Sequence, residues 1–173
     1  KPYSEACDRN RDPILAVIRP ILAAHRAVLE IGSGTGQHAV YFAAAMPHLT
    51  WYPGDREENL PGIRLWIEEA GLANLRPPLC LDVNDVPAHG ALLDNAWAAL
   101  GGVDTVLIAH GTLPDQAACD ASVDLSLREF ATNGTSTIAL SAALAQRLQS
   151  GASLAVISSV AGDRGRASTY FYG

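Results

Sequence analysis

The stretch VLEIGSGTG, residues 28–36, decides the fold. Residues 27–31 are a short apolar run stopped by glycine, which reads as a buried parallel strand. Helical spacing follows over residues 37–46, so the glycines sit on a strand-to-helix turn. Glycine permits positive φ and lets the backbone approach a ligand closely. The helix that follows presents free N–H groups and the positive end of its dipole. This arrangement suits a pyrophosphate or the carboxylate of an amino-acid ligand. The spacing is GxGxG and not the full GxGxxG of dinucleotide sites, and the same residues also fit a plain tight turn.

Working outward, residues 13–24 are helical, with Pro13 near the start and Pro20 kinking or ending the helix. Residues 49–53 form a second strand and residues 59–70 an amphipathic helix that Gly71 caps. A third strand spans 79–83, a helix 88–100, a fourth strand 104–109, a long helix 123–149 and a fifth strand 153–158. Alternation of this kind implies one α/β domain, a parallel sheet covered by helices on both faces. Right-handed crossovers give the Rossmann-like order 3-2-1-4-5. Ligands of such sheets bind at the carboxyl ends of the strands, where residues 32–36, Asp55, Asp82, His110–Gly111 and Ser158–Ser159 fall.

Asp55 lies 19 residues after Gly36, close to the spacing of an acid that holds ribose hydroxyls. It also fits a loop aspartate or a helix cap. Asp82, ending strand three, suits the adenine amino group or, equally, a cap.

The 173 residues carry a net charge of −6 and are 49% hydrophobic. That supports a packed core and argues against nucleic acid as a partner. No apolar run reaches the ~18 residues of a membrane span. Cys7, Cys80 and Cys119 lie far apart without CxxC spacing, so neither a disulfide framework nor a zinc site is expected. A reducing, cytoplasmic setting is the simplest reading. His38, His89 and His110 match no metal motif. Trp51, Trp66 and Trp97 are expected to pack in the core or between helix and sheet.

Residues 4–83 resemble a family of small class I S-adenosylmethionine-dependent methyltransferases. The resemblance rests on SEACDRN (4–10), PIL (13–15), VLEIGSGTGQHAVYF (28–42), PHLTW (47–51) and RPPLCLDV (76–83). It implies that Glu30, Gly32, Gly34 and Gly36 line the methionine moiety, that Asp55 holds the ribose and that Asp82 meets the adenine. Arg9 and Asn10 would border the pocket.

Residues 84–173 resemble the second half of short-chain dehydrogenase/reductases. The segments are ND (84–85), HGALLD (89–94), AWAAL (96–100), VLIAHGTLPD (106–115), FATNG (130–134) and LAVISSVAGDRG (154–165). The resemblance implies that Asn133, Ser159 and Tyr172 match that family's catalytic residues. Tyr172 follows Ser159 by 13 residues. The lysine expected four residues further on would lie past Gly173, and the reductase glycine loop is replaced by the methyltransferase-type one. Without lysine the tyrosine stays near pKa ~10, so reductase turnover is not expected. His110 is expected to shape the wall beside the ribose.

The join falls at LDVND, residues 81–85. The chain therefore reads as a recombined or engineered chimera, the alternative being one divergent natural protein. The expected function is a nucleotide-cofactor-binding domain with a site for S-adenosylmethionine or S-adenosylhomocysteine and little or no turnover. The alternatives are an active methyltransferase on a small molecule, a ligand-free structural fold, and NAD(P) binding without reduction. The exposed flank of strand five predicts a homodimer through that edge.

Overall fold

In the computed structural model, which describes residues 1–159 and Arg164, the run at 27–31 becomes β1 (Ala27–Ile31). It forms the middle of a five-stranded parallel sheet. β2 (Thr50–Asp55) and β4 (Thr105–Ile108) flank it, with β3 (Leu79–Cys80) and β5 (Ser153–Val156) outside them. The order β3-β2-β1-β4-β5 is the one the sequence predicts. β3 and β5 are the two edges among the described residues.

Strand alternation divides the core in two. Val28 and Leu107 face a cluster with Ile18, Phe42, Met46 and Trp51, under α1 (Glu5–Ile21) and α2 (Gln37–Ala45). Leu29, Ile31, Val106 and Ile108 face the opposite cluster, with Leu93, Ala96, Leu140 and Leu144. Those last four come from α4 (His89–Leu100) and, after α5 (Gln116–Ala121) and α6 (Val123–Phe130), from α7 (Ser136–Ala145). α3 (Leu60–Ala70) covers the first face beside α2 and ends on Gly71 in the left-handed region, as expected. Among the described residues no helix is long and apolar enough to cross a membrane.

Three expectations are corrected. The first helix starts at Glu5, not residue 13, so Pro13 lies inside it; acidic Glu5 and Asp8 favour its first turn. Pro20 does fall in its final turn. The third strand stops at Cys80 and leaves Asp82 in the following loop, where its carboxylate accepts from the Asn84 N–H at 2.9 Å and folds a local turn. The long helix at 123–149 is interrupted by a π turn over residues 131–135 and ends at Ala145. There the Ser136 and Thr137 hydroxyls donate to the carbonyls of Thr132 and Asn133, competing with the backbone ladder. The helix at 116–121, capped by Asp115, had no apolar period to announce it.

Asp104 sets where β1 begins. Its two carboxylate oxygens accept from Arg26 N–H at 2.8 Å and Ala27 N–H at 2.9 Å. Asp104→Ala is expected to cost about 2 kcal/mol in urea denaturation and Asp104→Asn roughly half that, since charge-assisted bonds to backbone amides are the stronger ones.

Candidate functional site

The three glycines after β1 have different reasons to be glycine. All have positive φ, +89° at Gly32, +57° at Gly34 and +90° at Gly36. At Gly32 a Cβ would meet the Cβ, Cα and N of His110 at 2.4–2.5 Å. At Gly36 it would stand 3.1 Å from Ile63 Cα, so this glycine lets α2 approach α3. At Gly34 nothing lies within 4 Å. Gly34 is therefore the loop position whose backbone faces open space.

Asp55, at the end of β2, reaches this open position. Its Oδ2 accepts from the Gly34 N–H at 2.6 Å. Its Oδ1 accepts from Arg56 N–H at 2.8 Å and Asn59 Nδ2 at 2.7 Å. The sequence placed Asp55 beside the loop but did not reveal Asn59, which carries no motif of its own.

Glu30 supports the loop from beneath. It is 1% exposed, and strand alternation turns it toward the face of Trp51. Its Oε2 accepts from Trp51 Nε1 at 3.0 Å and from Ser33 Oγ at 2.9 Å, while Ser33 Oγ accepts from the Gly54 N–H at 3.2 Å. Burial raises the carboxyl to about 7, against the lowering effect of the Trp51 and Ser33 bonds, with Asp55 adding a further push upward. Trp51 is thus a core residue, as expected, with a polar task as well.

His110 follows β4. Its Nε2 lies 2.8 Å from Ser136 Oγ and 3.3 Å from Thr137 Oγ1. Both hydroxyls donate to carbonyls one turn earlier, so toward the histidine they act as acceptors, and Nε2 carries the proton. Burial holds the imidazole below its ordinary value, opposed by the Thr132 carbonyl and Asp55 and reinforced by His89. Asn133 clasps the next loop at two points. Its Oδ1 accepts from Thr112 N–H at 2.8 Å and its Nδ2 donates to Thr112 O at 3.0 Å. π turns concentrate at functional sites, and this one presents Asn133 to the loop after β4.

His110, Gly111, Asn133, Thr137 and the residues 156–159 line a cleft of about 200 Å³. The structure thus brings together His110, Asn133 and Ser159. Tyr172 lies outside the described residues. Asp82 sits apart, with Leu81, Val83 and His89, on a cavity of about 10 Å³. Among the described residues no group of three or more His, Cys, Asp or Glu could hold a metal ion. Cys7, Cys80 and Cys119 are free.

Residues 1–110 match the family described as "Protein of unknown function (DUF938)". The chain belongs to that family. Its description names no activity, and the match runs past residues 81–85 through the whole of β4. An uncharacterized oxidoreductase of Mycobacterium tuberculosis, in strains CDC 1551 / Oshkosh and ATCC 25618 / H37Rv, is 34% identical over 94 residues. That alignment covers 53% of this chain and 38% of the relative, so the chain spans about two-fifths of the length of these curated relatives. The two matches together exceed the chain's length and so share part of it.

Among solved structures, a short-chain dehydrogenase/reductase of Mycobacterium marinum superposes with a TM-score of 0.72 at 21% identity, covering 85% of this chain and 62% of its own. One from Brucella melitensis gives 0.70 at 18%, covering 86% and 62%. Actinorhodin polyketide ketoreductase, solved with NADPH, gives 0.70 at 22%, covering 86% and 58%. At these identities the likeness shows the Rossmann-like fold.

The native state keeps a proton on Glu30 that the unfolded chain gives up above 4.5. The stability this group contributes is full below pH 4.5, declines as pH rises toward 7, and levels off above it. Glu30→Gln retains an acceptor oxygen and removes the titration. Urea denaturation from pH 5 to 8 should show the wild-type decline flattened, by up to about 3 kcal/mol at the alkaline end. The glycines should separate in thermal denaturation. Gly32→Ala loses more than about 3 kcal/mol or fails to fold, as overpacking against backbone does. Gly34→Ala loses about 1 kcal/mol, the conformational cost of the left-handed region alone.

Proposed function

We propose that the chain binds an adenosine-bearing cofactor with a free ribose diol across Gly34 and Asp55. The ligand of first choice is S-adenosylmethionine or S-adenosylhomocysteine, with little or no turnover. The observation that carries this reading is the open position at Gly34, with its N–H 2.6 Å from the Asp55 carboxylate. An ionised carboxylate accepts about four hydrogen bonds, and Asp55 takes three within the chain. The remaining site suits a ribose hydroxyl, and its charge opposes a 2′-phosphate. Gly32, Gly36 and Glu30 would serve by shaping and supporting the loop, and Asp82 would meet the adenine side. The reacting end of the ligand would lie toward His110, Asn133 and Ser159. In this reading the methyltransferase-type loop and the reductase-type cleft are halves of a recombined chain. Fold alone does not carry function.

NAD(H) binding without reduction is the second reading. It is favoured by the cleft that joins His110, Asn133 and Ser159, and by the NADPH held by a structural neighbour. A second copy pairing along the β5 edge, where Leu154 and Val156 are exposed, is part of the proposal; light scattering should then give twice the chain mass.

Calorimetric titration with S-adenosylhomocysteine, NAD⁺ and NADP⁺ tests the assignment. Saturable heat is expected with S-adenosylhomocysteine, weakened at least about tenfold by Asp55→Ala, a loss of roughly 1.4 kcal/mol. Saturation by NAD⁺ alone transfers the site to the second reading. Silence with all three ligands removes both readings and leaves a structural fold.

A further inference from the structure

Residues 1–12 cross the outside of the glycine loop and are held there mainly by polar contacts. Gln37, the first residue of α2, is 7% exposed. Its side chain makes a two-point bond to the Ser4 backbone, with Oε1 accepting from Ser4 N–H at 2.6 Å and Nε2 donating to Ser4 O at 3.3 Å. The same Oε1 accepts from Thr35 Oγ1 at 3.0 Å, and Thr35 Oγ1 accepts from the Gln37 N–H at 3.3 Å. Thr35 stands between Gly34 and Gly36, so the bond that holds the N-terminal segment also orients the middle of the loop. Cys7 Sγ lies 4.0 Å from Thr35 Oγ1.

The segment continues onto α3. Pro2 occupies the space above Gly62, where a Cβ would meet Pro2 Cγ at 2.5 Å, and Trp66 Nε1 donates to Pro2 O at 2.8 Å. Lys1 Nζ stands 3.4 Å from the centre of the Trp66 ring. On α2, His38 Nε2 pairs with Asn10 Oδ1 at 2.8 Å. Within α1 the buried residue is Ile18, and Ile14 and Leu15 pack partly against the core. The apolar anchoring of α1 therefore lies after Pro13. Proline inside a helix supplies no N–H to the ladder and weakens the turn before it. A segment with few buried apolar contacts opens at low cost.

We propose that residues 1–12 form a strap hinged at Pro13 whose docking on Gln37 and Thr35 sets the glycine loop and whose release admits the ligand. Gln37 is its positioning residue. The ligand clause rests on the cofactor reading above. The coupling of strap to loop does not depend on it.

The test uses the full chain carrying Thr35→Cys, which can be cross-linked to Cys7 and released by reductant. In the oxidised form, hydrogen exchange of the amides at residues 33–37 is expected to slow about tenfold or more. Association of S-adenosylhomocysteine should slow by a similar factor, and both effects should reverse on reduction. Gln37→Ala should do the opposite. It should quicken exchange at residues 4–12 and 33–37 together, with thermal stability little changed, and Gln37→Glu should restore part of the protection. If loop exchange is the same in oxidised and reduced chains and is unmoved by Gln37→Ala, there is no strap coupling. If exchange responds but association of bound S-adenosylhomocysteine does not, the strap does not gate entry. If exchange responds and no cofactor binds at all, the coupling stands and the cofactor reading fails.

Discussion

Gly32 stands against the backbone of His110, and the arrangement of the upper sheet depends on that approach. β1 and β4 are neighbours, so their exits must pass within van der Waals distance, and a side chain at Gly32 would force them apart. The contact carries further through His110. Its ring is fastened to Ser136 and Thr137, in the first turn of α7 directly after the π turn. From the same π turn Asn133 clasps Thr112, and Thr132 Oγ1 donates to Asn84 Oδ1 at 2.9 Å in the loop after β3. One glycine thus connects the loop after β1 with the loops after β3 and β4 and with the cleft beside them.

The glycine loop is held from three directions. Glu30 bonds it from below through Ser33, Asp55 takes its central amide from the β2 side, and Gln37 with Ser4 holds Thr35 from outside. Networks of this kind are costly when partly satisfied and rigid when complete. The buried Glu30 shows the balance, since desolvation raises its carboxyl while two donors hold it in place. These bonds fix the loop at Ser33, Gly34 and Thr35 in turn.

One continuous parallel sheet underlies both stretches of the chain, before and after residues 81–85. The family match, over residues 1–110, carries through β4. The β1–β4 pairing crosses that region in register, from Val28↔Thr105 to Ile31↔Ile108. What differs between the halves is what stands on the strand ends: a short glycine loop with an acid on one side, and a helix break with Asn133 on the other.

The sequence by itself determined the sheet order, the strand-to-helix turn and the place of Asp55. Each follows from local pattern: apolar runs bounded by glycine, and an acid at a set distance along the chain. Tertiary structure alone decided which glycine faces open space, because residue spacing treats Gly32, Gly34 and Gly36 alike while His110 and Ile63 do not. It also decided that α1 begins at Glu5 and that Ser4 locks to Gln37, 33 residues away. A bond between a backbone group and a distant side chain leaves no periodic trace in the sequence. Its partners become evident only when the helices that carry them are packed on the sheet.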